Sequence, residues 1–370
     1  IRQSRRVWMY HAEITGWGKC VPPAVLSNED LATFMDTTDE WITTRTGIRE
    51  RRICHCNFSD MALVAARHAL AAADLDPSEL DLILLGSLTN DSYCPNTASL
   101  IQDALGARSC AAIDINSACT GFLYGLHIGT NLIRTGAHKK ILVIGGEFIS
   151  HYMNWNRRDV AILFGDACGA VVIEATDKEV GLLAAKIGCE ADAKHAIQIT
   201  NFGSAYSRFS DDFPYIDWNF EGQEVFKRAV KSMALACSDV LDQTGLTMDE
   251  VNLVVPHQAN KRILDSLAKR VGVDIDKVFV NVHKYGNTSA GTIPVALTEA
   301  LEEGRVKPGD YMLMASFGAG LSWGAGLIRW GDRVTPLQES TAELPPCDKT
   351  ALEILEPQIR HYAERKETTS

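Results

Sequence analysis

Cys119 stands between an apolar stretch that reads as a strand, AAIDIN, and one that reads as a helix, TGFLYGLHIGTNLI. A thiol at such a turn faces the positive end of the helix dipole, which favours the nucleophilic thiolate. Its neighbours Ser117, Ala118, Thr120 and Gly121 are small, which permits a sharp turn open to a bulky substrate. His257 follows the apolar run VNLVV and Pro256, at a strand end where α/β proteins place ligands. Asn287 sits in KYGNTSAGTIP, a loop bracketed by Gly and Ser. Each residue also has an ordinary use: a packed cysteine, a structural histidine, a turn asparagine. Together, thiol, imidazole and carboxamide suit acyl transfer. The thiolate makes a thioester, and the other two donate hydrogen bonds to a developing oxyanion. Gly318 and Gly320 in MASFGAGLSWGAG let backbone N–H groups approach a ligand. That segment lacks the Lys of a P-loop, so an oxyanion hole is the better reading.

Something must bring these residues together. The runs 82–85, 141–144, 251–255 and 311–314 read as buried strands. Segments 60–73, 99–106, 121–134, 223–244 and 260–271 read as helices between them. This alternation predicts an α/β fold with a largely buried sheet. The chain is also internally duplicated. ALAAADLDPSELDLILLG (69–86) resembles VLDQTGLTMDEVNLVVPH (240–257), 171 residues further on. The same spacing lays Cys119 on Ala290 and Asn116 on Asn287. GAHKKILVIGGE resembles GRVKPGDYMLMASFG at a changed spacing. Two copies imply two related half-domains. We divide the chain into 1–185, carrying Cys119; 186–332, carrying His257 and Asn287; and a C-terminal extension, 333–370. The extension reads as a polar linker and a short amphipathic helix interrupted by Pro357, peripheral to the rest.

The 370 residues carry a net charge of −11, which weighs against general nucleic-acid binding. Ten cysteines without a CxxC pair predict free thiols in a reducing compartment and no metal site. No apolar run is long enough to span a bilayer, and IRQSRRVWMYHAE has no following apolar segment of a secretion signal. A cytoplasmic protein is expected.

Seven blocks, in order, resemble β-ketoacyl–acyl carrier protein synthase III of the thiolase superfamily. They are DTTDEWITTRTGIRERR (36–52), NSACTGF (116–122), FGDACGAVV (164–172), EGQEVFKRAV (221–230), PHQAN (256–260), YGNTSAG (285–291) and SFGAGLSWG (316–324). The resemblance runs from about Ile14 to Trp330. It implies a five-layered αβαβα fold of two thiolase-like halves, usually a homodimer. It further implies decarboxylative condensation of an acyl-CoA primer with malonyl–acyl carrier protein in fatty acid synthesis, with no metal or tightly held cofactor. Cys119 would carry the acyl group, and His257 and Asn287 would hold the malonyl thioester carbonyl. The amides of Cys119 and Ala319 would form the oxyanion hole. Coenzyme A would meet Thr37, Trp41, Arg45, Arg158, Gly222, Phe226, Ala259 and Asn260. Lys227, Lys261 and Arg262 would belong to a patch for the acidic carrier protein.

Two features depart from the family pattern. Members restricted to acetyl primers have Phe before the proline matching Pro95; here it is Cys94, which predicts room for a longer, medium-chain primer. The segment after Trp330 exceeds the family's usual ending. A thiolase would carry a second catalytic Cys within 316–324, which is absent. The elongating synthases use two histidines where this chain has His257 and Asn287. The remaining rivals are a relative acting in alkylquinolone or polyketide synthesis, a simple acyltransferase, and a silent acyl-CoA-binding module.

Overall fold

A computed structural model describes residues 10–206, 209 and 215–369, with side chains described to Glu364. Nine strands form the main sheet: β1 (His11–Cys20), β2 (Leu82–Gly86), β3 (Ala111–Ile115), β4 (Lys140–Glu147), β5 (Ala167–Thr176), β6 (Gly181–Cys189), β7 (Leu253–Pro256), β8 (Tyr311–Gly318) and β9 (Ser322–Arg329). Their spatial order is β7-β8-β9-β6-β1-β5-β4-β2-β3. The sheet is two sheets joined by one parallel pairing, Ala12 with Gly181. On one side of the join β1, β5 and β4 run antiparallel, then β4, β2 and β3 parallel. On the other side β6, β9 and β8 run antiparallel and β8 and β7 parallel, the same pattern.

The main helices are α1 (Phe58–Ala73), α2 (Thr97–Leu105), α3 (Gly121–Arg134), α4 (Gly222–Thr244), α5 (Lys261–Val271), α6 (Thr292–Glu302) and α7 (Ala351–Thr369). α1 and α2 cover the outer face of the first sheet, and α4 covers the outer face of the second with α5 packed on it. α3 and α6 lie between the sheets and touch both. Every residue of α6 from Thr292 to Leu301 is buried, as a helix enclosed on two faces requires. Its Pro294 falls in the first turn, where a missing N–H costs nothing. These are the five layers αβαβα. α3 comes so close to β2 that a Cβ on Gly86 would lie 2.4 Å from the Gly121 backbone, so only glycine allows the contact.

The duplication is visible residue by residue. The turns Pro77–Glu79 and Met248–Glu250, and Ala118–Thr120 and Ser289–Gly291, stand 171 apart, and so do the starts of α3 and α6. The turn glycines Gly136 and Gly304 stand 168 apart, the changed offset expected there, and β4 and β8 return to 171. α6 is three residues shorter than α3, and the loop after it is three longer. The copies part at β3. Its counterpart is the four-residue helix Val282–Tyr285, and only Val278 pairs with β7 at that edge. Strand β6 spans residue 185 and pairs along its length with β9.

The extension is no loose tail. Arg333 donates to the Thr15 carbonyl at 2.6 Å, and the Ala342 carbonyl accepts from His68 at 3.0 Å. α7 continues through Pro357. It buries Ala351, Leu355 and Tyr362 against Leu26, Leu31 and Ile53, and this packing carries the helix past its proline.

Candidate active site

Cys119 lies in the tight turn Ala118–Thr120 that links β3 to α3. Ala118 takes the left-handed conformation, φ 48°, a strained choice for a residue with a Cβ. Ser289, its counterpart, has φ 50°. The second half holds the first turn in place. Ser316 Oγ donates to the Cys119 carbonyl at 2.8 Å, and Thr120 Oγ1 to Ser322 Oγ at 2.9 Å. Burial pushes the Cys119 thiol up to about 12, and the Glu147 carboxylate adds to the rise, while Ser289 lowers it. Desolvation by the enclosing halves thus opposes the lowering expected from the helix terminus.

His257 directly follows β7 and is 3% exposed. Burial pulls its imidazole down to about 3, so the ring is neutral. Its Nδ1 lies 2.7 Å from Thr292 Oγ1, which is also 2.9 Å from the Ser289 carbonyl. Thr292 has one proton to give. Directed at Nδ1, it leaves Nε2–H as a donor. Directed at the carbonyl, it leaves Nε2 a bare lone pair. Gln258 fixes the loop by donating to the Pro256 and Phe279 carbonyls and accepting from the Asn281 N–H.

Asn287 is held by backbone bonds on both sides, its N–H to Leu163 O and its carbonyl from Gly165 N–H. Its Oδ1 accepts from the Ser289 N–H at 2.8 Å. That bond orients the amide and leaves the two Nδ2 protons for a ligand.

A cavity of about 260 Å³ joins these groups. Cys119, His257 and Asn287 line it together with Gly318, Phe317, Gly222, Phe226, Ala259, Asn260, Trp41 and Arg45. At the Cys119 end, a Cβ on Gly318 would lie 2.9 Å from the Cys119 amide nitrogen. Gly318 is thus the residue packed on that amide. Ala319 lines a smaller space of about 40 Å³ beyond Cys119, with Leu88, Ile149, Phe164, Ile199 and Trp218. At the other end, the Arg45 and Arg158 guanidinium carbons lie 4.4 and 4.6 Å from the Trp41 ring centre. Asn260 caps α5 and donates to the Arg45 carbonyl at 3.2 Å, which ties this mouth to the second half.

Some expected residues stand elsewhere. Thr37 is buried and does not line the cavity, and its hydroxyl has no partner among the described residues. Cys94 is exposed and lines neither space that contains Cys119. Lys261 is engaged by Asp265 of its own helix at 2.7 Å, while Lys227 and Arg262 are exposed and form no ion pair among the described residues. Sequence reading missed Thr292, Ser289 and Glu147. Ser289 carried a signal, since it is the duplication partner of Ala118 beside the position matching Cys119. Glu147 carried another, as the lone acid ending the apolar run ILVIGGE. Among the described residues no cluster of metal-ligating side chains occurs, and no helix is long and apolar enough to cross a membrane.

Residues 113–191 match the family model of 3-oxoacyl-[acyl-carrier-protein] synthase III, and residues 241–330 match its C-terminal model. A β-ketoacyl-[acyl-carrier-protein] synthase III 2 of Vibrio cholerae is 54% identical over 95% of this chain and 97% of its own. The chain belongs to the 3-oxoacyl-[acyl-carrier-protein] synthase III family. It is a condensing acyltransferase of that family, with the thiolase-like fold. The crystal structure of the Aquifex aeolicus synthase III is 45% identical, with a TM-score of 0.81 over 86% of this chain and all of that one. The priming β-ketosynthase of the R1128 polyketide pathway superposes with a TM-score of 0.84 at 31% identity, over 89% of this chain and 99% of its own. The Vibrio cholerae synthase aligns over more of this chain than the Aquifex aeolicus synthase III, whose match covers 86% of it.

Proposed function

We propose that this synthase III transfers an acyl group from coenzyme A to Cys119 and condenses it with malonyl–acyl carrier protein in fatty acid synthesis. The observation that carries this reading is one apolar cavity reaching from Cys119, His257 and Asn287 to Trp41 and Arg45. A pantetheine arm fits such a passage: narrow, mostly apolar, with polar groups at its ends. In the first half-reaction Cys119 attacks the primer thioester, and its own amide with that of Ala319 receives the oxyanion. Coenzyme A leaves. In the second, His257 Nε2–H and the Asn287 Nδ2 protons hold the malonyl carbonyl. CO₂ departs, and the enolate attacks the acyl-cysteine. A neutral His257 suits this role, because a hydrogen-bond donor is needed and no proton transfer. It requires Thr292 to turn its proton to Nδ1.

Adenine is proposed to stack on Trp41. An intervening base needs roughly twice the ~4.5 Å spacing of a stacked pair, so Arg158, at 4.6 Å, must swing out to admit it. Arg45, Gly222, Phe226, Ala259 and Asn260 would line the arm, and Thr37 would join only after a local shift. Lys227 and Arg262, with Lys261 once freed from Asp265, would meet the acidic carrier protein. The same reading assigns a homodimer in the cytoplasm, no resident cofactor, no nucleic-acid or membrane partner, and halves meeting near residue 185 with an extension from 333. On primer length two features oppose each other. The small Cys94 supports a chain longer than acetyl, whereas the ~40 Å³ beyond Cys119 has room for only about three water-sized groups.

The test is mass spectrometry of the protein after incubation with acetyl-CoA or octanoyl-CoA, followed by malonyl–carrier protein. An acyl adduct on Cys119 that disappears with release of CO₂ and a longer β-ketoacyl product is expected. No adduct with any acyl-CoA overturns the reading, and the preferred primer decides between the two pocket arguments.

A further inference from the structure

Glu147 ends β4 and is wholly buried. No cation pairs with it among the described residues, an expensive arrangement for a carboxylate unless hydrogen bonds satisfy it. Its Oε2 accepts from Ser87 Oγ at 2.9 Å, Thr89 Oγ1 at 2.6 Å, and the Leu88 and Thr89 N–H groups at 3.1 Å. Its Oε1 is far less occupied. It receives Ser289 Oγ at 3.1 Å and a longer contact from the Leu88 N–H at 3.3 Å. Ser289 Oγ in turn lies 3.3 Å from Cys119 Sγ. One hydroxyl therefore bridges the acyl-accepting sulfur and the underused oxygen of a buried acid. It has a single proton, so it cannot donate both ways. With Cys119 a thiol, S–H donates to Ser289 and Ser289 donates to Glu147.

We propose that Ser289 and Glu147 form a proton relay that takes the thiol proton of Cys119 during acylation and returns it after condensation. The inference rests on the acyl-transfer reading above. As the sulfur attacks the primer carbonyl, the S–H bond breaks. Its proton passes to Ser289 Oγ while the serine proton passes to Glu147 Oε1. The carbon–sulfur bond to coenzyme A breaks, and that thiolate takes a proton from solvent. In the second half-reaction malonyl carboxylate leaves as CO₂, and its electron pair becomes the enolate. The enolate attacks the acyl group, the carbon–sulfur bond to Cys119 breaks, and the thiolate recovers the stored proton from Glu147 through Ser289. The enzyme's protons return to where they began, and the one proton consumed per turnover passes from solvent to coenzyme A. Burial supports the arrangement: it pushes Glu147 up to about 7, close to neutral pH, where an acceptor must also be able to give the proton back. The other titratable groups that interact with Glu147 are Cys119, Cys168 on β5 and Tyr152.

The experiment follows alkylation of Cys119 by iodoacetamide against pH in the full-length protein, with Ser289→Ala and Glu147→Gln variants. Ser289→Ala removes only the bridge and leaves the other four donors on Glu147, so it tests the relay even where Glu147→Gln fails to fold. In the wild type the rate is expected to rise with an inflection near pH 7 as Glu147 ionises. In Ser289→Ala the inflection is lost and the rate at neutral pH falls by about 10²-fold, the usual size of a general-base contribution. A Ser289→Ala protein with the wild-type profile overturns the relay, as does a folded Glu147→Gln protein that keeps the inflection. A wild type that alkylates with the inflection but takes no acyl group from acyl-CoA would instead sink the functional reading.

Discussion

The turns Ala118–Thr120 and Ser289–Gly291 share a conformation, a place before a buried helix and a spacing from their neighbours. Only one carries a thiol. Cys119 opens onto the 260 Å³ cavity, whereas Ala290, its twin, is 1% exposed and packed near Gly121. The difference arises upstream. β3 carries the first turn to the sheet edge, while the second half replaces that strand by a short helix and brings Asn287 in beside Ser289. A duplicated backbone has been divided into a half that holds the thiol proposed to react and a half that brings His257, Asn287 and Ser289 to it.

The sharpest test of that division moves the thiol. Cys119→Ala is expected to lower condensation by at least ~10⁴-fold. Adding Ala290→Cys to it should restore nothing, with no acyl adduct by mass spectrometry; an adduct on residue 290 would show the turns to be equivalent. Next come the groups of the second half. His257→Ala and Asn287→Ala should each slow malonyl decarboxylation by about 10²–10³-fold, the scale of losing one oxyanion donor. The acyl adduct on Cys119 should still form in both, and its loss would mean that the halves do not divide the labour. Gly318→Ala drives a methyl onto the Cys119 amide, and misplacement of that order costs up to about 10²-fold in acylation rate. Unchanged single-turnover acylation would remove Gly318 from the packing argument. Trp41→Ala should raise KM for acyl-CoA about tenfold, with kcat little altered, because stacking binds substrate and transition state alike.

The pH response should follow burial. His257 is depressed to about 3 from an unfolded value of 6.5. Its contribution to stability is present above 6.5 and is lost as pH falls towards 3, because the unfolded chain binds the proton that the fold refuses. Its imidazole resonances should therefore stay in the neutral form from about pH 5 to 9. A titration near 6.5 would mean that the ring is wetter than this cavity allows.

The sequence alone carries the α/β alternation, the duplication, the seven family blocks and the residue types at 119, 257 and 287. These are local matters: apolar period, turn chemistry and spacing survive in one dimension. It could not state the thiol's protonation, because desolvation depends on which distant segments close over Cys119. Nor could it supply Glu147 and Ser289 as neighbours of that sulfur, for they lie 28 and 170 positions away and meet it only where the two halves pack. Cys94 makes the same point in reverse. Its residue type suggests a pocket wall, but what lies against its exposed side chain is decided by the fold and by any second copy of the chain, not by residue type.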